Sequence, residues 1–181
     1  MRPEPDCSLC RLCQGRTQVV YPSGNPLSKV VLVGEAPGKN EDEQGVPFVG
    51  RSGSILDSML GEVGLDRRDL LITNTVKCRP PDNRDPLPDE VGACSRFLEE
   101  DLANAELVVG LGRYAVAALS GHKGKMDEVV NRPMDVDVGG RKVRFIATYH
   151  PASTIYNRKF REELRRTVAM VAEEMGCGSK V

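Results

Sequence analysis

The stretch KVVLVGEAPG at residues 29–38 decides the fold. Four consecutive apolar residues, three of them valines, run directly into Gly34, a pattern typical of a strand buried on both faces of a parallel sheet. Three similar runs follow, at residues 70–73, 107–111 and 143–148. Helical patterns lie between and after them, at residues 54–63, 89–102, 114–119 and about 159–175. This alternation predicts an α/β fold, a three-layer α/β/α sandwich with a mostly parallel four-stranded central sheet.

Length and composition fit one domain. The chain has 181 residues, of which 40% are hydrophobic and 28% charged, and we expect a single domain over residues 1–181 with a short N-terminal cysteine segment and a C-terminal helix. No run approaches the roughly 20 apolar residues of a membrane span, and the N-terminus has no apolar signal core. A formal net charge of −1 argues against a histone-like polycation. These observations predict a cytoplasmic protein with no membrane partner.

The loop at residues 78–88 contains four prolines, so it is expected to be neither helix nor central strand. It lies between a predicted strand and a predicted helix, and it begins at a cysteine. We expect an ordered excursion that is held at Cys78.

The cysteines indicate a metal site rather than disulfides, because the cytosol keeps thiols reduced. Two residues separate neighbouring members of the N-terminal group, and two more cysteines lie far downstream: Cys7, Cys10, Cys13, Cys78 and Cys94. Both structural zinc and an iron-sulfur cluster fit a C-x2-C pair, and the spacing leaves open which N-terminal thiols are ligands. Cys177 is expected to be a free surface thiol.

Polar residues follow the predicted strands. Glu35 comes directly after the first strand, Asn74 after the second and His150 close after the fourth. Because ligands of open parallel sheets bind outside the carboxyl ends of the strands, we expect these three side chains to share a site. Each has an alternative role: a helix cap for Glu35, a turn for Asn74 and an ordinary surface position for His150. The other histidine, His122, is expected in a solvated loop.

Charge is distributed unevenly along the chain. Residues 139–168 carry eight basic side chains against two acidic ones, whereas residues 82–106 carry eight acidic against two basic ones. A basic face beside an acidic one is expected of a protein that binds a phosphate backbone without being globally cationic. The alternative is that five residues merely form the solvated face of the last helix: Arg158, Lys159, Arg161, Arg165 and Arg166.

Six blocks in order along the chain resemble the family 4 uracil-DNA glycosylases. They are the cysteine motif at 7–13, GRTQVV at 15–20, GEAPGKNED at 34–42, GVPFVGRSG at 45–53, ITNTVKCRPPDNR at 72–84 and HPA at 150–152. Six colinear blocks are far more specific than any one of them. The resemblance implies an α/β/α glycosylase that flips deoxyuridine from DNA and hydrolyses its N-glycosidic bond, leaving an abasic site in base-excision repair.

The resemblance also implies a cofactor and partners. Family thiolates that hold a structural 4Fe-4S cluster match Cys7, Cys10, Cys78 and Cys94, which makes Cys13 a non-ligand. No diffusible cofactor is expected. The partner is uracil-containing DNA, single- or double-stranded, and the protein is expected to be a monomer of prokaryotic type in the cytoplasm, associated with the nucleoid.

Four residues match positions that bind the base. Phe48 matches the aromatic that stacks on uracil, and Asn74 matches the amide that reads its Watson–Crick edge. His150 matches the histidine that stabilises negative charge on uracil O2, and the backbone near Ala36 helps to position the base. A core position is the alternative for Phe48. A base must leave the stack before such contacts can form.

Departures from the family pattern affect the remaining roles. Ala36 stands where other glycosylase families have a water-activating Asp, so Glu41 or Glu35 is expected to position water or stabilise the cation, with Glu41 favoured. A Leu-Leu-Arg wedge of the family is absent, and Ile155 or Tyr156 is its expected replacement, with Arg158 also contacting DNA. No Arg-Arg-Ile-His insertion occurs, so we expect turnover rather than covalent trapping.

Two other hypotheses remain open at this point. The first is a protein of the same fold that binds modified or single-stranded DNA without turnover. The second is a small iron-sulfur or zinc redox protein whose sheet edge binds a nucleotide, although residues 34–38 lack the Gly-Lys-Ser/Thr ending of a phosphate-binding loop.

Overall fold

The computed structural model describes residues 2–177, and a six-stranded sheet forms its middle layer. The strands are β1 (Ser23–Gly24), β2 (Val30–Gly34), β3 (Leu71–Asn74), β4 (Leu107–Leu111), β5 (Met134–Val138) and β6 (Arg141–Thr148). Their order across the sheet is β1-β3-β2-β4-β6-β5. The four central strands are parallel, and β1 and β5 pair antiparallel at the two edges. The α/β fold is confirmed. The prediction of four strands was wrong, because it missed the two edge strands β1 and β5.

Helices cover both faces of the sheet. The described residues form α1 (Lys39–Gln44), α2 (Arg51–Glu62), α3 (Pro88–Asp101), α4 (Arg113–Ser120) and α5 (Arg158–Glu174). Side chains alternate across a strand, and β2 shows this directly. Val30 and Leu32 pack into the core with α2 and α5, whereas Val31 and Val33 pack into the core with α3 and α4. The three layers predicted from the sequence are therefore present.

The elements that the sequence pattern missed are short or polar. β1 has two residues, and β5 alternates charged and apolar side chains because only one face of this edge strand is covered. α1 has the sequence KNEDEQ, which carries no apolar face. The proline loop at 78–88 contains one 3-10 turn, Pro81–Asn83, where no helical structure was expected.

Parallel pairing brings the strand ends to one edge of the sheet. Gly34 at the end of β2 lies beside Asn74 at the end of β3. On the other side of β2, Leu111 at the end of β4 pairs with Thr148 at the end of β6. The loops that follow these four strands therefore meet at the carboxyl edge, which is where the sequence placed the site.

The described residues contain no helix that is both long and apolar enough to cross a bilayer. The predicted domain also includes Met1 and residues 178–181, which lie outside the described residues.

Candidate active site

A cavity of about 420 Å³ opens at the carboxyl edge of the sheet. It is formed by the loops after β2, β3 and β6 together with the turn before α2. Its walls contain six of the residues predicted from the sequence: Glu35, Ala36, Glu41, Phe48, Asn74 and His150. The structure therefore brings together side chains that lie more than a hundred residues apart in the chain.

Asn74 presents a buried amide to this cavity. The residue is 4% exposed and forms part of the cavity wall. An amide in the wall of an open cavity is available to a ligand that enters it. An amide offers both a donor and an acceptor, which is what an imide edge such as that of uracil requires.

The Phe48 ring and the Asn74 amide are packed against a glycine. A Cβ atom on Gly34 would lie 2.5 Å from both the Oδ1 of Asn74 and the Cζ of Phe48. No side chain larger than hydrogen fits there without moving one of them. Phe48 is 5% exposed and belongs both to the core under α2 and to the cavity wall.

The backbone of Phe48 is held in an unusual conformation. Its φ of 53° lies in the left-handed region, which a bulky residue rarely adopts. The guanidinium of Arg67 donates to the carbonyl oxygens of Pro47 at 3.2 Å and Phe48 at 2.6 Å. A Cβ on Gly53 would lie 1.7 Å from the Phe48 carbonyl oxygen, so the first turn of α2 packs directly on this backbone. The ring is thereby fixed from behind.

His150 stacks on Phe48, with ring centroids 5.7 Å apart and an interplanar angle of 27°. Its Nδ1 accepts a hydrogen bond from the backbone N–H of Ala152 at 3.1 Å. A backbone N–H can only donate, so the neutral ring carries its proton on Nε2. Burial lowers the pKa of His150, with the charge of Glu41 opposing, and this favours the neutral ring. The imidazole is therefore a neutral donor.

Gly112 packs closely against His150 just after the end of β6. A Cβ on Gly112, whose φ is 92°, would lie 2.9 Å from the Cβ of His150. The N–H of Gly112 also donates to the carbonyl of Thr148. The loop after β4 thus supports the loop that carries the histidine.

Glu41 is tied to the turn that carries Phe48. Its Oε1 accepts the backbone N–H groups of Val49 at 3.2 Å and Gly50 at 3.3 Å. Gly50 precedes α2, so this carboxylate sits at the positive end of a helix. A Cβ on Gly38 would lie 2.9 Å from Oε2, which shows how closely the GEAPG loop approaches the second oxygen. One oxygen therefore fixes the side chain and the other remains for a ligand.

Glu35 has a different environment. Burial is the main cause that raises its pKa to about 7, and the neighbouring carboxyl of Asp85 raises it further while Arg113 opposes. Asp85 belongs to the proline loop. The Glu35 carboxyl is therefore partly protonated near neutral pH, which makes it a weak candidate for a permanently charged group.

A buried lysine supports Asn74 from below. Lys77 is 1% exposed, and its Nζ donates to Thr73 Oγ1 at 2.6 Å, to the carbonyl of Asn74 at 2.7 Å and to Asp101 Oδ2 at 2.6 Å. All three ammonium protons are used. The end of β3 is thereby fixed to α3, and sequence reasoning did not find this support, because a single lysine in a loop motif carries no burial signal.

The proline loop contributes residues that the sequence analysis did not single out. Pro80, Asn83 and Arg84 also line the cavity. Arg84 makes a bidentate pair with Glu90, whose side chain is fully buried, and this pair anchors the loop to α3. Asn83 has a φ of 55°, a conformation that Asn tolerates better than most residues. An Asn that follows two prolines and an Asp is the one feature of the sequence that could have indicated a tight turn here.

The predicted DNA-contacting residues lie outside the cavity. Ile155 is half-buried at the end of the turn Pro151–Thr154, and Tyr156 is 90% exposed just beyond it. Arg158 is exposed at the start of α5. Tyr156 is therefore the more exposed of the two residues predicted to act as a wedge.

The basic face predicted for α5 is partly neutralised. Lys159 pairs with Asp127, Arg165 with Glu62 and Glu162, and Arg166 with Glu163. Three of the five basic residues therefore have carboxylate partners, as the solvated-face alternative requires. Arg158 and Arg161 make no ion pair with any residue from 2 to 177.

Four of the cysteines line one small cavity beside α3. They are Cys7, Cys10, Cys78 and Cys94, and Cys13 is not in the wall. Burial raises the pKa of Cys78 to about 11 and raises that of Cys94 as well. Such thiols ionise when a metal binds, so the donor set fits a thiolate-bound group. Within residues 2–177, as placed, no group of three or more cysteine, histidine or carboxylate side chains is arranged to hold a metal ion.

The N-terminal segment is fixed to the rest of the protein by Arg16 and Asp42. Arg16 donates to the carbonyls of Cys7 at 2.7 Å and Pro5 at 3.0 Å, and it reaches the Sγ of Cys78 at 3.4 Å. Asp42, which is buried, accepts the backbone N–H of Thr17 with both oxygens. The cysteine segment therefore docks between α1 and the loop after β3.

Comparisons with known proteins find uracil-DNA glycosylases. The model of the uracil DNA glycosylase superfamily matches residues 21–171. A type-4 uracil-DNA glycosylase of Archaeoglobus fulgidus is 40% identical, over 96% of this chain and 89% of its own length. One from Thermotoga maritima is 44% identical, over 90% of this chain and 83% of its own length. A type-5 uracil-DNA glycosylase of Thermus thermophilus is 35% identical over 56% of this chain.

Proposed function

The chain belongs to the uracil DNA glycosylase superfamily and, within it, to the type-4 uracil-DNA glycosylases, and from that membership we propose how it excises uracil from DNA. The protein flips deoxyuridine out of the strand and hydrolyses its N-glycosidic bond, releasing uracil and leaving an abasic site for base-excision repair. The observation that carries the proposal is one cavity wall that contains the Asn74 amide together with Phe48 and His150.

The flipped base enters the cavity at the carboxyl edge. Phe48 offers its ring for stacking, and the backbone near Ala36 borders the base. The Asn74 amide donates to uracil O4 and accepts from N3–H. Cytosine presents an amino group and an unprotonated N3 at the same positions, so two hydrogen bonds would be lost and polar groups left unpaired.

His150 acts on the leaving group. Cleavage of the C1′–N1 bond moves electrons onto uracil, much of the charge appearing on O2. A neutral Nε2–H donor that is already oriented by its Nδ1 contact costs no reorganisation when that charge develops. The histidine therefore stabilises the transition state more than the ground state, which is the requirement for catalysis.

Glu41 acts on the sugar side. Its Oε2 orients the attacking water and stabilises the positive charge that develops on the sugar, while Oε1 remains bound to the two amides before α2. The water oxygen forms the new bond to C1′, and its proton passes to the carboxylate. Glu35, with its raised pKa, is the less suitable candidate for this role.

Tyr156 fills the space that the flipped nucleotide leaves in the stack, with Ile155 beside it and Arg158 on the backbone. The substrate is uracil in single- or double-stranded DNA. The protein works as a monomer in the cytoplasm, where prokaryotic DNA is found.

The four cysteines around the small cavity are proposed to hold a structural 4Fe-4S cluster. When bound, it supplies a cross-link between the N-terminal segment, the loop after β3 and α3, and it takes part in no step of hydrolysis. Arg16 balances part of the thiolate charge. The shared membership of Cys7, Cys10, Cys78 and Cys94 in one cavity wall supports this ligand set.

The test is cleavage of an end-labelled oligonucleotide with one uracil, developed with alkali on a gel, beside a thymine strand. Wild type should cut at uracil alone. His150→Gln should be about 10²- to 10³-fold slower. His122→Ala removes the other histidine, which is not in the cavity wall, and should match wild type.

Two results would contradict the proposal. An intact uracil strand that still shifts on a native gel would indicate a binding protein without turnover. Full activity in His150→Gln would show that the imidazole is not the donor.

A further inference from the structure

A second cavity, of about 800 Å³, adjoins the first. The two share Glu35 and His150 in their walls, so whatever occupies the first borders the second directly. The loop after β4, the segment before Met126 and the start of α5 enclose it. The uracil mechanism uses none of the side chains that line only this second cavity.

Three basic side chains stand against two acidic ones in the wall of this cavity, and one of the acids, Glu35, has a pKa raised to about 7. Arg113, Lys123 and Lys125 line it, and none of them makes an ion pair with any residue in the described range 2–177. Asp127, an acidic residue of the wall, is engaged by the hydroxyl of Tyr149 and by Lys159 at 3.0 Å. The contrast with α5, where three cations have partners, is clear. Basic side chains that line a cavity and form no ion pair of their own favour an anionic ligand.

The cavity also offers an aromatic face. Tyr114 is 38% exposed, and the guanidinium of Arg113 lies 4.9 Å above its ring. Arg113 also donates to the Tyr114 hydroxyl at 3.1 Å, which holds the ring in place. Tyr149 and Phe160 stack with centroids 3.8 Å apart and form another part of the wall. Exposed aromatics combined with a positive groove are typical of single-strand nucleic-acid binding.

We propose that the second cavity is a subsite for the nucleotide next to the flipped uridine, with its base on Tyr114 and its phosphate at Lys123 and Lys125. This proposal rests on the proposed function, because a base in the first cavity belongs to a chain whose next nucleotide must pass the shared wall at His150. The subsite reads no sequence, since every base has a face that can stack.

The experiment combines salt dependence with substrate length. Binding of a single-stranded uracil oligonucleotide is measured for wild type and for the double variant Lys123→Ala/Lys125→Ala. Each lost phosphate contact lowers the salt slope by about 0.7, so from about 50 to 200 mM salt wild type should lose about sevenfold more affinity than the double variant. Lys142→Ala is the control, because this exposed lysine lies near the start of β6, far from the cavity.

The second measurement uses uracil substrates extended by one nucleotide on either side. For wild type, kcat/KM should rise with extension on one side. Tyr114→Leu should lose at least about fivefold of that gain, the value of one stacked base, and keep its activity on the shortest substrate.

The outcomes separate the two proposals. If wild type excises uracil but the double variant keeps the wild-type salt slope, or Tyr114→Leu keeps the full gain from extension, the subsite proposal is wrong and the glycosylase proposal stands. If wild type excises no uracil, both fall. Unchanged melting temperatures of all the variants will show that the effects are local.

Discussion

Gly34→Ala is expected to lower the activity about 100-fold without unfolding the protein. The added Cβ would stand 2.5 Å from the Oδ1 of Asn74 and 2.5 Å from the Cζ of Phe48, and ordinary contact begins near 3.4 Å. Each atom must therefore retreat by about 0.9 Å if the backbone stays in place. A misplacement of about 1 Å at a reacting centre costs about 10²-fold, or about 2.7 kcal/mol of transition-state stabilisation.

The neighbours of Gly34 have little freedom to yield. The Phe48 backbone is fixed by Arg67 and by the close packing of Gly53, and its ring also contacts His150. The Asn74 carbonyl is bound by Lys77. Because the backbone around them is held, the Asn74 amide and the Phe48 ring must themselves move, and these are the two groups that are proposed to contact uracil.

The assay is single-turnover cleavage of a uracil oligonucleotide, with a thermal melt of each protein. Gly61→Ala is the matched control. Gly61 is a helical glycine of α2, and no atom of the residues packed against α2 lies within 4 Å of the Cβ that the substitution would add. The control should keep full activity and gain up to about 1 kcal/mol in stability. If Gly34→Ala cleaves within about threefold of wild type, the reasoning about this contact is wrong.

Three further predictions concern stability and the cysteine centre. Because the pKa of Glu35 is raised from its ordinary 4.5 to about 7, the folded state binds more protons in that window, so stability should fall as pH rises through it; urea melts of Glu35→Gln should lack this slope. Cys78→Ser should lose the broad visible absorption of an iron-sulfur protein and melt earlier, whereas Cys13→Ser should keep both; colourless wild-type protein containing zinc would overturn the cluster. Asp101→Ala should lower the free energy of unfolding by about 3–5 kcal/mol in denaturant melts, because it leaves the Lys77 ammonium buried without its carboxylate partner. The double variant Lys77→Met/Asp101→Leu should recover much of that loss. Equal losses in the two variants would refute this explanation.

The central strands were predictable because burial on both faces leaves an unbroken apolar run. Val30 to Val33 show this pattern, and the polar residue that follows such a strand lies at the shared edge by geometry alone. Asn74 and His150 were found in this way. The edge strand β5 was missed because its solvent face carries Asp135 and Asp137, so its pattern is that of a half-covered strand.

What the sequence left undetermined depends on contacts between distant segments. The choice between Glu35 and Glu41 follows from neighbours far along the chain, Asp85 for one and the amides before α2 for the other. The burial of Lys77 depends on the carboxylate of Asp101, which a linear pattern does not reveal. Pairings of this kind become visible only when the chain is folded.

The two hydrogen bonds that Glu41 accepts from Val49 and Gly50 matter for designing a protein that detects uracil without cutting DNA. A protein that marks uracil in genomic DNA must bind the flipped base and leave the strand whole. Changing Glu41 would release the Val49 and Gly50 amides and loosen the turn that carries Phe48, so recognition would be damaged along with cutting. His150 accepts a single backbone N–H, that of Ala152, and a glutamine at this position keeps an acceptor for it and can still fill the wall. A cutting-deficient detector should therefore be built at the histidine and leave the carboxylate intact.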